Sequence, residues 1–447
     1  MKNPWIGIGI LVPSLVAMLV ALRALRARYV LHPEISRKVA HVGLGLATLS
    51  FPLLFESVWP VALLGLLTVL VLAAMRWLPA LRCDFGEVVH GVERRSGGEF
   101  YFPIAAAALF VVTKGDPILF GIPILTLALA DAVAAVVGVS YGRIRYQTGE
   151  HPKTLEGSVA FFTVAFLATH IPLLLFTPTG RLESILIGLT FGMLVMLLEA
   201  VSLRGTDNLL IPFGGYALLD AFLHKSALEL AATFAVTTAF LVVVLAFRKQ
   251  RTLSDTAMLA GVLVGFVSWS VGGWRWVVPP LVLFLSYTVL WPRRRLVRQR
   301  PHDVVAVGSV VSSGLLWLML AHLLERPDLF YPYTISFAAH LCFIGVTWHR
   351  IARPQLHPLS IVVRSALAAW VASFPAYALV APAGDNVFPT AAAALLWLIA
   401  GGAAFTYLVP FRRGPRAEPF PWLRQSLLGL AASALGLILL PTPGGLR

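Results

Sequence analysis

Apolar runs of about 15–23 residues recur along this chain, and a helix needs a run of that length to cross the hydrocarbon core of a bilayer. Short segments rich in Arg, Pro and Gly separate them. In lipid a backbone must satisfy its own polar groups, so runs of this length dictate helices. A water-soluble alternative fails on composition: 58% of the 447 residues are hydrophobic and 13% are charged, too little polar surface for a soluble domain of this length. The expected fold class is therefore all-α, a polytopic integral membrane protein with about sixteen transmembrane helices. The runs place them near 5–22, 41–57, 59–75, 100–114, 117–139, 158–177, 184–203, 209–223, 227–247, 253–271, 275–291, 303–323, 331–348, 359–382, 387–410 and 422–441. The runs at 100–114 and 209–223 are short, which suits broken or re-entrant helices as well as full spans.

The formal net charge of +14 does not point to nucleic acid, because the basic residues punctuate the apolar runs instead of forming one soluble face. With the N-terminus outside and the runs alternating, 27 Lys and Arg fall in inside segments and seven in outside segments, the bias expected of cytoplasmic loops. Residues 5–22 differ from a signal peptide: Lys2 alone precedes the run, whereas Arg23, Arg26 and Arg28 follow it, so it reads as an uncleaved first helix. The expected location is the plasma membrane of a prokaryote. Cys83 falls in a loop and Cys342 in an apolar run, so no disulfide is expected, and no Cys/His spacing suggests zinc.

The basic cluster Arg248, Lys249 and Arg251 divides the chain into expected domains at 1–250 and 251–447. The first holds 15 of the 21 acidic residues. The six in the second (Asp255, Asp303, Glu325, Asp328, Asp385 and Glu418) lie at or near helix ends. Acids within apolar runs, notably Asp131 and Glu199, occur only in the first part. Ionisable groups in a membrane are costly and mark function by default, so the chemistry is expected in residues 1–250 and the second domain is expected to be non-catalytic.

Four motifs there carry polar chemistry. Arg37-Lys38-Val39-Ala40-His41 sits at the expected start of the second helix, with Arg37 and His41 on one face; it could hold a phosphate and move a proton at a membrane entrance, though taken alone it reads first as a plain basic flank with an incidental histidine. Asp131 lies about 12 Å inside its helix, and Ala135, Gly138 and Gly142, followed by Arg143, continue a smooth face that a ligand or another helix can approach. Lys153-Thr154-Leu155-Glu156-Gly157-Ser158 opens the next helix; it offers a point charge, two hydroxyls and a helix N-terminus to an anion, or simply a capped start with Thr154 or Ser158 as the cap. Glu199, followed by Gly205-Thr206-Asp207-Asn208-Leu209 and Pro212, suits magnesium or an ordinary turn. All four fall on the expected cytoplasmic side. Their combined inventory fits phosphoryl or nucleotidyl transfer at the membrane surface. In that reading Lys153 binds nucleotide phosphate, Asp131 and Asp207 with Asn208 hold Mg2+, His41 receives the proton of the acceptor, and Glu199 is the weaker candidate for that task.

Arg37-Lys38-x-x-His41, Gly98-Glu99-Phe100-Tyr101-Phe102-Pro103, Asp131-x-x-Ala134-Ala135-x-x-Gly138-x-x-x-Gly142-Arg143, Lys153-Thr154-x-Glu156-Gly157-Ser158 and Thr206-Asp207-Asn208-Leu209-x-x-Pro212, in this order over about residues 30–225, resemble the phytol kinase and dolichol kinase family, relatives of the phosphatidate cytidylyltransferases. The resemblance implies a membrane-embedded kinase for an isoprenoid alcohol, with CTP (or ATP) as donor and the segment 138–158 associated with the nucleotide. Residues 251–447 resemble more faintly the integral membrane family that includes phytyl-phosphate kinase, through Arg251-Thr252-Leu253-Ser254, Gly261, Gly265, Gly272-Gly273-Trp274 and the run containing Ser286. The acidic motif implied near 340–350 is replaced by Leu341-Cys342-Phe343-Ile344-Gly345-Val346-Thr347-Trp348. A nucleotidyl transferase and a transporter are the alternatives. No inverted repeat supports the transporter. The implied partners are the lipid substrate and the membrane lipids.

Overall fold

The computed structural model describes residues 3–28, 33–77, 97–146, 152–246, 253–290, 303–381, 387–409 and 421–440. They form an all-α polytopic integral membrane protein. By length and composition, eleven of the described helices can cross a bilayer, and three shorter apolar helices, Lys38–Leu54, Val58–Ala74 and Gly98–Val112, accompany them. Each of the sixteen apolar runs holds a helix. The chain divides into two compact units, residues 1–236 and 237–447.

The first unit contains α1 (Pro4–Arg28), α2 (Pro33–Leu49), α3 (Phe51–Leu54), α4 (Val58–Trp77), α5 (Gly98–Val112), α6 (Pro117–Tyr141), α7 (Leu155–Phe176), α8 (Arg181–Val201) and α9 (Asp207–Leu223); α10 (Ala227–Ala246) carries the chain into the second. The run expected at 41–57 is split. α2 starts at Pro33, eight residues early, and ends before Ser50, where Pro52 prevents continuation into α3. Hydropathy delimits the lipid-facing stretch, whereas the helix extends past it into polar sequence. As a correction to the sequence reading, Lys38 and His41 lie one to two turns inside α2 instead of at its start. The runs at 100–114 and 209–223 are short continuous helices, α5 and α9, despite Pro103 and Pro212 within them.

α6 is the axis of this unit, packed against α2, α7 and α9. Asp116 caps it by accepting from the Ile118 and Leu119 amides at 2.9 and 2.8 Å. Gly45 sets the approach of α2: a Cβ there would lie 2.3 Å from the Ala128 Cβ, so a larger residue would push α2 off α6. A stacked and edge-to-face cluster of Phe51, Phe110 and Phe120 fills the unit at the C-terminal end of α2. One feature has no counterpart in the sequence reading. Arg145–Tyr146 (β1) pairs antiparallel with Lys153–Thr154 (β2), a two-rung hairpin between α6 and α7.

The second unit contains α11 (Asp255–Gly272), α12 (Trp274–Leu290), α13 (Val304–Leu323), α14 (Phe330–Ala352), α15 (Pro358–Val380), α16 (Val387–Leu408) and α17 (Pro421–Ala434). α14 is buried along almost its whole length. Its Phe330, Tyr331, Tyr333, Phe337 and Phe343 build the core with Trp276, Phe374, Tyr377 and Phe405. The aromatic hydroxyls are satisfied locally: Tyr333 donates to the Trp276 carbonyl and Tyr331 to the Thr390 carbonyl, each at 2.6 Å.

Candidate functional site

Two charged pairs stand close together in the first unit, contributed by elements far apart in sequence. In the first, Lys38 of α2 donates to Asp131 of α6 at 2.5 Å, with the His41 Nε2 3.8 Å from the same carboxylate oxygen. Lys38 is 7% exposed and Asp131 14%, so each compensates the burial of the other. Lys38 and His41 are three apart on α2 and present one face to Asp131; Gly45, one turn further along, holds that face against α6. The Phe102 ring of α5 closes edge-to-face on His41, centroids 5.2 Å apart.

In the second pair, Lys153 of β2 donates to the Glu199 carboxylate at 2.6 Å and to the Glu199 carbonyl at 2.5 Å. The hairpin makes this possible. Pairing Tyr146 with Lys153 folds the α6–α7 connection back, and the Leu155 amide donating to the Ile144 carbonyl at 2.9 Å locks it. Lys153 is thereby aimed at the C-terminal turn of α8, where a cation also meets the negative end of the helix dipole.

Asp207, at the head of α9 and ahead of the apolar run 209–223, joins the two pairs. Burial raises its carboxyl pKa above the ordinary value and the Asp131 carboxylate adds to this, while Lys38 and Lys153 oppose it. Glu199 likewise feels both Asp131 and Asp207. Lys38, Asp131, Lys153, Glu199 and Asp207 thus form one electrostatic cluster, with His41 at its edge. Asn208 stands beside Asp207. Its Nδ2 donates to the Gly98 carbonyl at 3.0 Å, and its Oδ1 is buried with no hydrogen-bond partner. The turn ahead of it is tight: Arg204 and Gly205 both have positive φ, 53° and 82°. A Cβ at Gly98 would lie 2.9 Å from the Asn208 amide nitrogen and 3.1 Å from the Gly205 Cα, so the close seating of the 203–208 turn on α5 requires glycine at 98.

The remaining motif residues build the frame. Thr154 is the α7 cap, accepting from the Gly157 amide at 3.1 Å. Ser158 shares a hydrogen bond with the Tyr146 hydroxyl at 2.7 Å, and Glu156 accepts from the Ile144 amide at 3.2 Å and lies near exposed Arg143. Gly138, Gly142 and Gly157 form the seam between α6 and α7; at Gly142 a Cβ would lie 2.5 Å from the Thr154 Cγ2. Of these motif residues, Lys153 reaches the carboxylate cluster and the others shape the hairpin and seam that hold it. The Arg37 side chain and Cys83 lie outside the described residues. Sequence reasoning missed the positioning role of Gly98 and the pairing of each lysine with a carboxylate. The Gly97-Gly98 pair was a visible signal for the first. For the second there was none, because the partners are 93 and 46 residues apart.

The donors suit a hard cation: Asp131, Asp207 and the unpartnered Asn208 oxygen are all oxygen ligands. Among the described residues no three His, Cys, Asp or Glu side chains are grouped closely enough to hold a metal by themselves.

Over 212 residues the chain is 28% identical to the phytol kinase of Synechocystis sp., a stretch equal to 47% of this chain and 88% of that protein. No family model matches the chain, and no solved structure matches it.

Proposed function

We propose that this protein is a membrane kinase that transfers the terminal phosphoryl group of a nucleoside triphosphate, CTP or ATP, to an isoprenoid alcohol on the cytoplasmic side of the membrane. The observation that carries the reading is the cluster itself: a largely buried Lys38–Asp131 pair, a half-buried Lys153–Glu199 pair, a third carboxylate and a histidine, brought together by α2, α6, α8, α9 and the hairpin. The similarity to phytol kinase supports an isoprenoid alcohol as acceptor, and the matched length is close to that of the first unit.

Phosphoryl transfer needs positioning and charge neutralisation more than covalent help from the protein. Lys153 uses two of its three N–H donors on Glu199, and the third serves a phosphate oxygen of the donor. Held at both ends of its reach, the ammonium loses little freedom when phosphate arrives. Lys38, fixed by Asp131, supplies a second positive charge to the transferring group. The alcohol oxygen attacks the terminal phosphorus; that P–O bond forms as the bond to the bridging oxygen breaks, and the nucleoside diphosphate leaves. The alcohol's proton passes to His41, an imidazole being the side chain most often used to take up a proton in such a step. Asp131, Asp207 and Asn208 would hold Mg2+, which when bound neutralises the phosphate oxygens.

The test is transfer of label from γ-labelled CTP or ATP to extracted lipid, using the full chain in lipid nanodiscs with a panel of isoprenoid alcohols. Labelled isoprenyl monophosphate is the expected product. Absence of transfer from every nucleotide to every alcohol, by folded protein, overturns the reading.

A further inference from the structure

An apolar slot begins about one turn beyond His41 on α2, with His41 itself outside its lining. It is lined on α2 by Leu44, Ala47 and Thr48, and on α5 by Phe102, Pro103 and Ala106, with α4 and α1 closing it through residues such as Leu64, Gly65 and Leu11. Three features connect it to the charged cluster. Phe102 is shared, forming the slot wall while packing edge-to-face on His41. His41, Leu44 and Thr48 follow at three and seven residues, one continuous face of α2. The polar groups in the slot are silenced: the Thr48 and Thr68 hydroxyls donate to their own helix carbonyls, at Leu44 and Leu64, 2.8 Å each, so the lining offers hydrocarbon and no competing hydrogen bond. From Leu44 to Thr48 the lining covers about 6 Å of α2 and continues to Phe51 of α3, away from Lys38 and deeper into the apolar sequence.

Its composition excludes the nucleotide, which needs cations and donors. It matches a single unbranched or methyl-branched hydrocarbon chain whose polar end stops at His41.

We infer that this slot between α1, α2, α4 and α5 holds the isoprenoid tail of the acceptor alcohol, and that Ala47, Ala106 and Gly65 set how much of that tail fits. This rests on the kinase reading and extends it from the reacting atoms to acceptor selectivity. The small residues are the measuring marks. At Gly65 an added Cβ would already lie 3.1 Å from the Ala107 Cβ and 3.4 Å from the Pro103 carbonyl, so glycine there lets α4 pack closely on α5 along the slot wall. The proximal wall, Phe102 and Leu44, touches the first part of every acceptor and is blind to length.

Two measurements test this, on the full chain in nanodiscs. The first is kcat/KM for geraniol, farnesol, geranylgeraniol and phytol with Ala47→Leu and, from the opposite wall, Ala106→Leu. One methylene of misfit in an apolar pocket is worth about tenfold or more. The long acceptors are therefore expected to lose at least about tenfold relative to geraniol in each folded variant. An unchanged length profile in both overturns the slot. The second measurement does not depend on turnover. A farnesol analogue carrying a diazirine at its distal end is photolysed on the wild-type protein and the adducts are mapped. Adducts on α2, α4 or α5 around Ala47, Gly65 and Ala106 are expected, reduced in Ala47→Leu. Adducts confined to other helices overturn the slot even if the protein proves to transfer no phosphate, and adducts at the slot without phosphoryl transfer retain the slot while overturning the kinase reading.

Discussion

The two units treat polarity in opposite ways. The first buries charge. Lys38, Asp131, Glu199 and Asp207 are held within its helices or at their heads, paired across elements. The second buries aromatic rings and neutral polar groups, some paired nearby, such as Trp317 donating to Ser433 at 2.8 Å; Asp303 caps a helix by accepting from the Ala306 amide at 3.0 Å, and the ion pair Arg326–Asp328 is local, two residues apart. It also encloses an apolar cavity of about 170 Å³ lined by residues such as Phe240, Phe284, Val311 and Phe337. Replacing a buried ion pair by apolar residues is often neutral or stabilising, so the charges of the first unit call for a reason beyond folding. That contrast is the strongest general ground for placing the chemistry there.

The largest effect is expected at Asp131. Asp131→Asn should lower turnover by about 10³-fold or more, the upper range for loss of one preorganised group, and should destabilise the fold by about 3–5 kcal/mol because Lys38 is left buried without its partner. The double variant Lys38→Met/Asp131→Leu sharpens the contrast. Thermal unfolding in detergent should return toward wild type while turnover stays lost; recovery of both would mean that the pair is structural, like the polar groups of the second unit.

His41→Ala comes next, with turnover down by about 10²-fold, the lower range for a positioned proton acceptor, and nucleotide KM little changed. Steady-state kinetics with saturating alcohol and varied nucleotide reads it. Lys153→Ala should raise the nucleotide KM by about tenfold, roughly 1.4 kcal/mol, with a smaller effect on kcat. A kcat effect alone would move the phosphate site elsewhere.

The smallest effects belong to the second unit. Asp303→Ala removes a helix cap and should cost about 1 kcal/mol of stability, while turnover changes by less than about tenfold; Asp255→Asn should behave likewise. Loss of turnover in either folded variant, with Asp131→Asn active, would invert the comparison.

Particular residues show why some of this was legible in advance. The helices were, because a bilayer imposes one length and one composition on every crossing. Asp131 and Glu199 stood out because charge in an apolar run is costly wherever its partner sits. The true start of α2 was not, since Pro33 to Ala40 is polar sequence that forms helix outside any apolar run. The hairpin was not, because two residues per strand leave no periodicity to read.

The sequence by itself determined that the chain crosses a membrane many times, that it is helical, and which few ionisable residues had to be explained. Those follow from single-residue transfer energies and backbone hydrogen bonding, both local properties. Only the tertiary structure decided that Lys38 meets Asp131, that Lys153 meets Glu199, that Asp207 lies within reach of both, and that an apolar slot opens beside His41. Pairing depends on how closely helices approach, at Gly45 on α6 and Gly98 on the 203–208 turn. Approach is set by side-chain packing between segments distant in the chain, which no local pattern encodes.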